Sequence, residues 1–228
     1  MKIERISDFE SFCTELSKIG FCLSGDNGEG VFSLEPYYAE DIEFHTGDDE
    51  KDPWQWRIRA VREKDSISYG KVFLNKSGWI TKEWIPHFIS MRRKSMSMDK
   101  LYSDGLIPAM DKAVYDHIVA NVKSSLIDLQ LRFGKENKSE IVKSLVNLQM
   151  KLLITTCDET TKISSKGEPY GWPLTVFCTI EEKFGEEVLE EAENLDPKVA
   201  YDDIVKQIRL LKADVDEKKM CKFIKRMP

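Results

Sequence analysis

Three carboxylates, Asp48, Asp49 and Asp52, fall within a few residues of His45 and Trp54. A carboxylate or an imidazole beside an aromatic wall can activate water against a bound substrate, so Asp48, Asp52 and His45 are the candidates for acid–base chemistry. The Gly- and Asp-containing stretch before Pro53 also has the composition of a surface loop, and that solvated reading is preferred. Trp54 and Trp56 could stack on an unpaired or flipped base, a contact worth about 1–3 kcal/mol per base. With Trp79 and Trp84 they would equally fill the core of a small module, the commoner role of large aromatics. Trp172, beside Pro173, reads as a packing anchor.

A second group of residues could bind without reacting. Lys143, Asn147 and Lys151 recur every four residues and so share one face of a helix, where they could meet phosphates and base edges in a major groove. Lys138, Lys162 and Lys166 would extend the contact, and Arg92-Arg-Lys94 forms another basic cluster nearby. The plain alternative is the solvated side of an amphipathic helix, on which Glu140 would repel phosphate. The net charge of −6 opposes nucleic-acid binding. Acidic residues concentrate between Glu40 and Asp52 and between Glu181 and Asp203, which leaves room for a local positive face.

The elements that would carry these residues follow from periodicity. Asp111–Asn121 places Val114, Tyr115, Ile118 and Val119 at helical spacing, and Ser124–Phe133 opens on a capping Ser and stops at Gly134. Lys138–Leu152 puts Ile141, Val142, Leu145, Leu148 and Leu152 on an apolar face. Leu153–Cys157 and Trp172–Thr179 read as strands joined by a long polar tip, 162–171, with Gly167, Pro169 and Gly171 as turn formers. Three helices followed by a hairpin are the plan of a winged helix. Upstream, a capped amphipathic helix over Ser7–Leu16 leads to a glycine-rich turn around Gly25, Gly28 and Gly30. Trp54, Trp56, Ile58 and Ala60 alternate with polar residues in a two-residue period, and Ser68–Leu74 reads as a strand ending at the turn Asn75–Gly78. From Glu181 onward the pattern is helical, interrupted at Asn194-Leu-Asp-Pro197. The expected fold is therefore α+β. An N-terminal helix and Trp-rich module (1–105) precede a winged-helix domain (106–180), and C-terminal helices (181–228) pack on the rest.

Two blocks of this sequence resemble the AlkZ-related family, relatives of the winged-helix DNA glycosylases. One comprises Leu145–Ile154 and Lys166–Phe177; the other runs from Phe44-His-Thr-Gly-Asp48 and Asp52-Pro-Trp-Gln-Trp-Arg57 through Tyr69–Phe73 and Lys76–Pro86. The resemblance implies a winged-helix fold and a relation to DNA repair. Glycosylases of that superfamily rely on a Gln-x-Gln or Gln-x-Asp motif, whereas Gln55, Gln130, Gln149 and Gln207 are the only glutamines here and none has Gln or Asp two positions later.

The remaining composition narrows the classes. A chain of 228 residues, 41% hydrophobic and 32% charged, can bury a full core. The first residues lack the apolar core of a signal peptide and no membrane-length apolar run occurs, so a cytoplasmic location is expected. Five cysteines at wide spacings, with only three histidines, indicate neither a disulfide framework nor a metal site, and no cofactor is expected. The leading expectation is a DNA-binding protein without the usual catalytic motif. Alternatives are a lesion-specific DNA glycosylase in which Asp48 or Asp52 replaces the motif, and a winged-helix module for a protein partner or homodimer.

Overall fold

The structure is a computed structural model and describes residues 1–25, 31–164 and 166–225; Gly28 and Gly30 of the expected turn lie outside them. Helix α1 (Phe9–Ile19) is started by a reciprocal cap, in which Ser11 N donates to Asp8 Oδ1 at 2.8 Å and Asp8 N donates to Ser11 Oγ at 3.1 Å. Strand β1 (Phe21–Leu23) then edges an antiparallel sheet of order β1-β3-β2, with β2 at Ile67–Phe73 and β3 at Lys76–Thr81. Leu74 and Asn75 both take positive φ, 56° and 60°, which supplies the tight twist of the β2–β3 hairpin.

The two-residue alternation around Trp54 and Trp56 does not make a strand. Residues Pro53–Glu63 form helix α2, capped by Asp52 with Pro53 in the first turn. Trp56, Arg57, Ala60 and Val61 face inward at helical spacing, while Arg62 and Glu63 lie outside. The alternation was a coincidence of arginines whose long stems bury alongside the apolar residues.

Helices α3 (Ile85–Arg93) and α4 (Met98–Ser103) lead to α5 (Ala109–Asn121), β4 (Ser124–Ser125), α6 (Leu126–Phe133), α7 (Lys138–Met150), β5 (Ile154–Ile163) and β6 (Pro169–Thr179). The second sheet has order β4-β6-β5, all antiparallel. From α5 onward the order is thus helix, strand, helix, helix and hairpin. The hairpin is longer than its sequence implies, because Lys162 pairs with Tyr170 and Ile163 with Pro169, which reduces the tip to residues 164–168. Helices α8 (Ile180–Phe184), α9 (Glu187–Asn194), α10 (Pro197–Leu211) and α11 (Glu217–Lys225) close the chain. The break at Pro197 is where the sequence puts it.

Three apolar clusters result. One lies between α1, α2 and the first sheet around Phe12, Trp56 and Trp79. A second joins that sheet to α3 and α8–α11 around Phe73, Phe88 and Phe223. A third lies among α5–α7 and the second sheet and includes Met98 and Leu101 of α4.

Arg92 and Arg93 are not a basic surface cluster, as their sequence suggests, because both are buried. Arg92 Nη1 donates to Val72 O at 2.7 Å and Met150 O at 2.9 Å, Nε to Ile224 O at 3.0 Å, and Nη2 to Phe223 O at 3.2 Å. Three of these carbonyls belong to the last turns of α7 and α11, where no intrahelical donor reaches them and a cation is favoured. Val72 lies at the register shift of β2, where the ladder is interrupted. Burial lowers the Arg92 guanidinium to about 9, so it still carries its charge at neutral pH.

Replacing Arg92 with Met should destabilise the fold by about 3–5 kcal/mol, since four carbonyls lose their donor while the volume is kept. A fall in the urea midpoint, measured by circular dichroism, checks this; an unchanged midpoint would refute the capping role.

Candidate functional site

A cleft of about 320 Å³ opens between the 38–52 segment, α2 and the first sheet, beside the wing. Its walls are aromatic: Tyr38, Phe44, His45, Trp54, Tyr69 and Trp79 all line it, and Arg57 supplies the polar edge. The arrangement begins with Asp52, whose carboxylate is wholly buried. It accepts from His45 N at 3.0 Å, Gly47 N at 2.9 Å and Trp54 N at 2.8 Å, and so caps α2 and folds the preceding loop at once. Burial alone would raise this carboxyl, but the backbone N–H groups of Gly47, Trp54, His45 and Thr46 outweigh it and hold Asp52 below the usual value. The latch turns His45 into a left-handed conformation, φ 65°, and brings its ring 4.8 Å from that of Trp54.

One helical turn after Trp54, the Arg57 guanidinium lies over the indole at 3.8 Å. Arg57 also pairs with Glu159 of β5, and Arg62, further along α2, pairs with Asp158 at 2.6 Å. These contacts fix the root of the wing to α2. Beneath them Ser68 Oγ and Thr155 Oγ1 are 2.6 Å apart, and Lys71 N donates to Gln149 Oε1 at 2.9 Å. A Cβ at position 70 would sit 2.7 Å from that same oxygen, so Gly70 allows β2 and α7 to meet. The outer part of the wing is different. Trp172 is 68% exposed, and Tyr170 and Ile163 are exposed beside it. Trp172 still makes an edge contact with Trp54, centroids 6.0 Å apart, so the wing continues the aromatic wall of the cleft outward.

The structure separates the candidates that sequence grouped together. Asp52 is a structural latch with its oxygens occupied, which removes it as a general base. Asp48 is exposed in the loop and accepts from Glu50 N at 2.8 Å, while His45 stands at the cleft mouth. Trp56 is core, stacked on Phe12 at 5.2 Å, whereas Trp54 is half-buried and borders the cleft. Trp172 is exposed where a packing anchor was expected.

The face shared by Lys143, Asn147 and Lys151 is not the open surface expected. Asn147 is buried and donates to the buried Asp111 at 3.1 Å, and Lys151 is buried where α7 ends. Only the first turns of α7 are open, carrying Lys138 and Lys143. These two, with Lys162 and Lys166 of the hairpin, form no ion pair among the described residues. Sequence reasoning missed Arg57, Tyr38 and Tyr69; the Trp-Gln-Trp-Arg spacing would have pointed to Arg57 had the segment been read as a helix.

No glutamine lines the cleft. Gln149 and Gln207 hold backbone, the latter donating to Ile19 O at 2.8 Å, and Gln55 lines a separate polar depression with Arg59 and Arg62. Among the described residues no helix is long and apolar enough to cross a membrane. A family model described as AlkZ related matches residues 6–225. No curated protein and no solved structure matches the chain.

The Asp52 latch has a pH signature. Its folded carboxyl lies below the ordinary value of 3.8, so its stabilisation is present above that pH and is lost as pH falls through the folded value. Acidification below about 3.8 should release the loop and change Trp54 fluorescence, and Asp52→Ala should show the released spectrum at neutral pH with a cost of about 2 kcal/mol. A spectrum in D52A identical to the parent would dismiss the latch.

Proposed function

The chain belongs to the AlkZ-related family, and from that premise we propose that it is a DNA-binding protein that engages unpaired or distorted DNA without excising bases. The observation that carries this is the contact of the exposed Trp172 with Trp54 at the cleft, on a hairpin that also bears Lys162 and Lys166, while Lys138 and Lys143 are exposed on the first turns of α7; none of the four lysines has an ion pair among the described residues. Lysines supply the salt-dependent attraction to phosphates, and exposed rings supply stacking for bases no longer held in a duplex. The reading differs from groove recognition by a whole helix. The far half of α7 is buried, so the hairpin and the first turns of α7 carry the contact. The overall charge of −6 opposes DNA and is unchanged by ion pairing, so the attraction rests on these local lysines and is readily screened by salt.

The absence of a Gln-x-Gln or Gln-x-Asp motif and the structural use of Asp52 both support binding over base release. The glycosylase alternative would leave Asp48 and His45 as the only acidic or imidazole groups of the original trio with access to solvent.

Anisotropy of labelled single-stranded and duplex DNA across a salt series tests the proposal. Affinity should fall steeply with salt, Lys143→Ala and Lys162→Ala should each reduce the log–log slope by about one, and Trp172→Ala should weaken single-strand binding more than duplex binding. No binding at low salt would sink the DNA reading and leave a protein partner. Abasic sites appearing during incubation would replace binding with catalysis.

A further inference from the structure

Two of the five free cysteines meet at the root of the β5–β6 hairpin. Thr156 pairs with Phe177 and Asp158 with Val176, so Cys157 is the extra residue of a bulge in β5, and Cys178 stands on the neighbouring strand. The Cys178 thiol donates to Cys157 Sγ, and the Cys157 thiol donates in turn to Val176 O at 3.5 Å. Cys178 is 1% exposed, whereas Cys157 is half-buried and so open to a small reagent. The hydrogen bond from Cys178 holds the Cys157 thiol below its ordinary range against the effect of burial; Lys123 and Lys183 add to the lowering and Asp158 opposes it. Lys123 immediately precedes β4, the strand that pairs with β6, and Lys183 is fixed by donating to Val61 O at 2.7 Å, while Asp158 is paired with Arg62. Cys13 and Cys22 have the opposite setting, since burial pushes both thiols up, Cys13 to about 12. One accessible thiol is thus eased toward the thiolate, the form that reacts, with a second sulfur already against it.

We infer that Cys157 and Cys178 form an oxidation site at which a hydroperoxide closes a disulfide between β5 and β6. With hydrogen peroxide, the Cys157 sulfur attacks one peroxide oxygen and the O–O bond breaks. Cys157 becomes a sulfenic acid, and the departing oxygen takes the thiol's proton and leaves as water. The Cys178 sulfur then attacks the Cys157 sulfur, the S–O bond breaks, and the hydroxide leaves as a second water with the Cys178 proton. The two thiols lose two electrons in all, and one peroxide takes them up. Sulfurs in hydrogen-bond contact on adjacent strands are already neighbours, so closing the bond draws together atoms that the hairpin has placed. The link encloses residues 157–178, among them Lys162, Lys166, Tyr170 and Trp172, and so restrains the exposed part of the hairpin at its base. The inference does not depend on the DNA-binding reading.

The full chain, reduced and freed of reductant, would be exposed to hydrogen peroxide, quenched at intervals with N-ethylmaleimide in denaturant, and mapped by mass spectrometry after digestion. Cys157 and Cys178 should lose alkylation together, as one linked pair lighter by two hydrogens, and dithiothreitol should restore both. Cys157 should react about tenfold faster than the half-buried Cys221 in the same sample. In Cys178→Ser the sulfenic acid should persist on Cys157 and be trapped by dimedone, whereas in Cys157→Ser the buried Cys178 should stay reduced. The map and the rate comparison use the unsubstituted chain, so they decide the matter even where a variant folds poorly. Oxygen added to Cys157 while Cys178 remains a free thiol overturns the pairing. Oxidation of Cys157 no faster than that of Cys221, or a link to any other cysteine, overturns the site.

Discussion

Arg92 is the constraint on which the arrangement depends. A guanidinium with no carboxylate partner is an expensive thing to bury, and it persists only because its donors meet carbonyls that would otherwise be orphaned. Those carbonyls come from three places far apart in sequence: Val72 in the first sheet, Met150 at the end of α7, and Phe223 with Ile224 near the end of α11. The rings of Phe73 and Phe88 lie against the same cation, 5.4 and 4.7 Å away, and Phe73 stacks on Phe223 at 4.3 Å. One side chain thus caps two helices and ties the first sheet, α7 and α11 to a single point. The C-terminal helices complete the interior, since without α11 two of the four acceptors are gone.

That fixed junction decides where the wing can go. With α7 held against β2 by Arg92, Gln149 and the close approach at Gly70, the hairpin leaving α7 must run along α2. Asp158 and Glu159 at its root meet Arg62 and Arg57, so the wing is anchored by charge pairs near its base and exposed beyond them. The Glu159 pair lies within the fold and the Asp158 pair is largely in solvent, so the first fixes position more strongly than the second. The result is a run of rings from Trp54 at the cleft to the exposed Trp172 on the hairpin.

Much of this was legible in the sequence. The capped α1, the three helices, the hairpin and the break before Pro197 follow local rules of capping, periodicity and turn chemistry. What failed did so for reasons of burial. Arg92 and Arg93 look like a surface cluster because nothing local marks the distant carbonyls that take them in. Lys143, Asn147 and Lys151 do share a helical face, but α5 covers the latter part of it and Asp111 gives Asn147 a buried partner. The α2 segment alternated apolar with polar residues, yet the Asp52-Pro53 start was the stronger signal, since a cap followed by proline specifies a helix end while alternation over four positions is easily met by chance. The aromatic cleft could not be read at all, as Tyr38, Trp54, Tyr69 and Trp79 are assembled from a loop, a helix and two strands.

The cleft's composition favours recognition over reaction. Base removal would need a carboxylate or an oriented amide able to position water against the sugar, and the carboxylate nearest in sequence, Asp52, is spent on holding His45, Gly47 and Trp54 in place. Freeing that oxygen for chemistry would unfold the loop that forms one side of the cavity. Geometry and catalysis therefore compete for the same side chain, and in this chain geometry has it. What the cavity keeps is a set of flat aromatic walls with Arg57 at their edge.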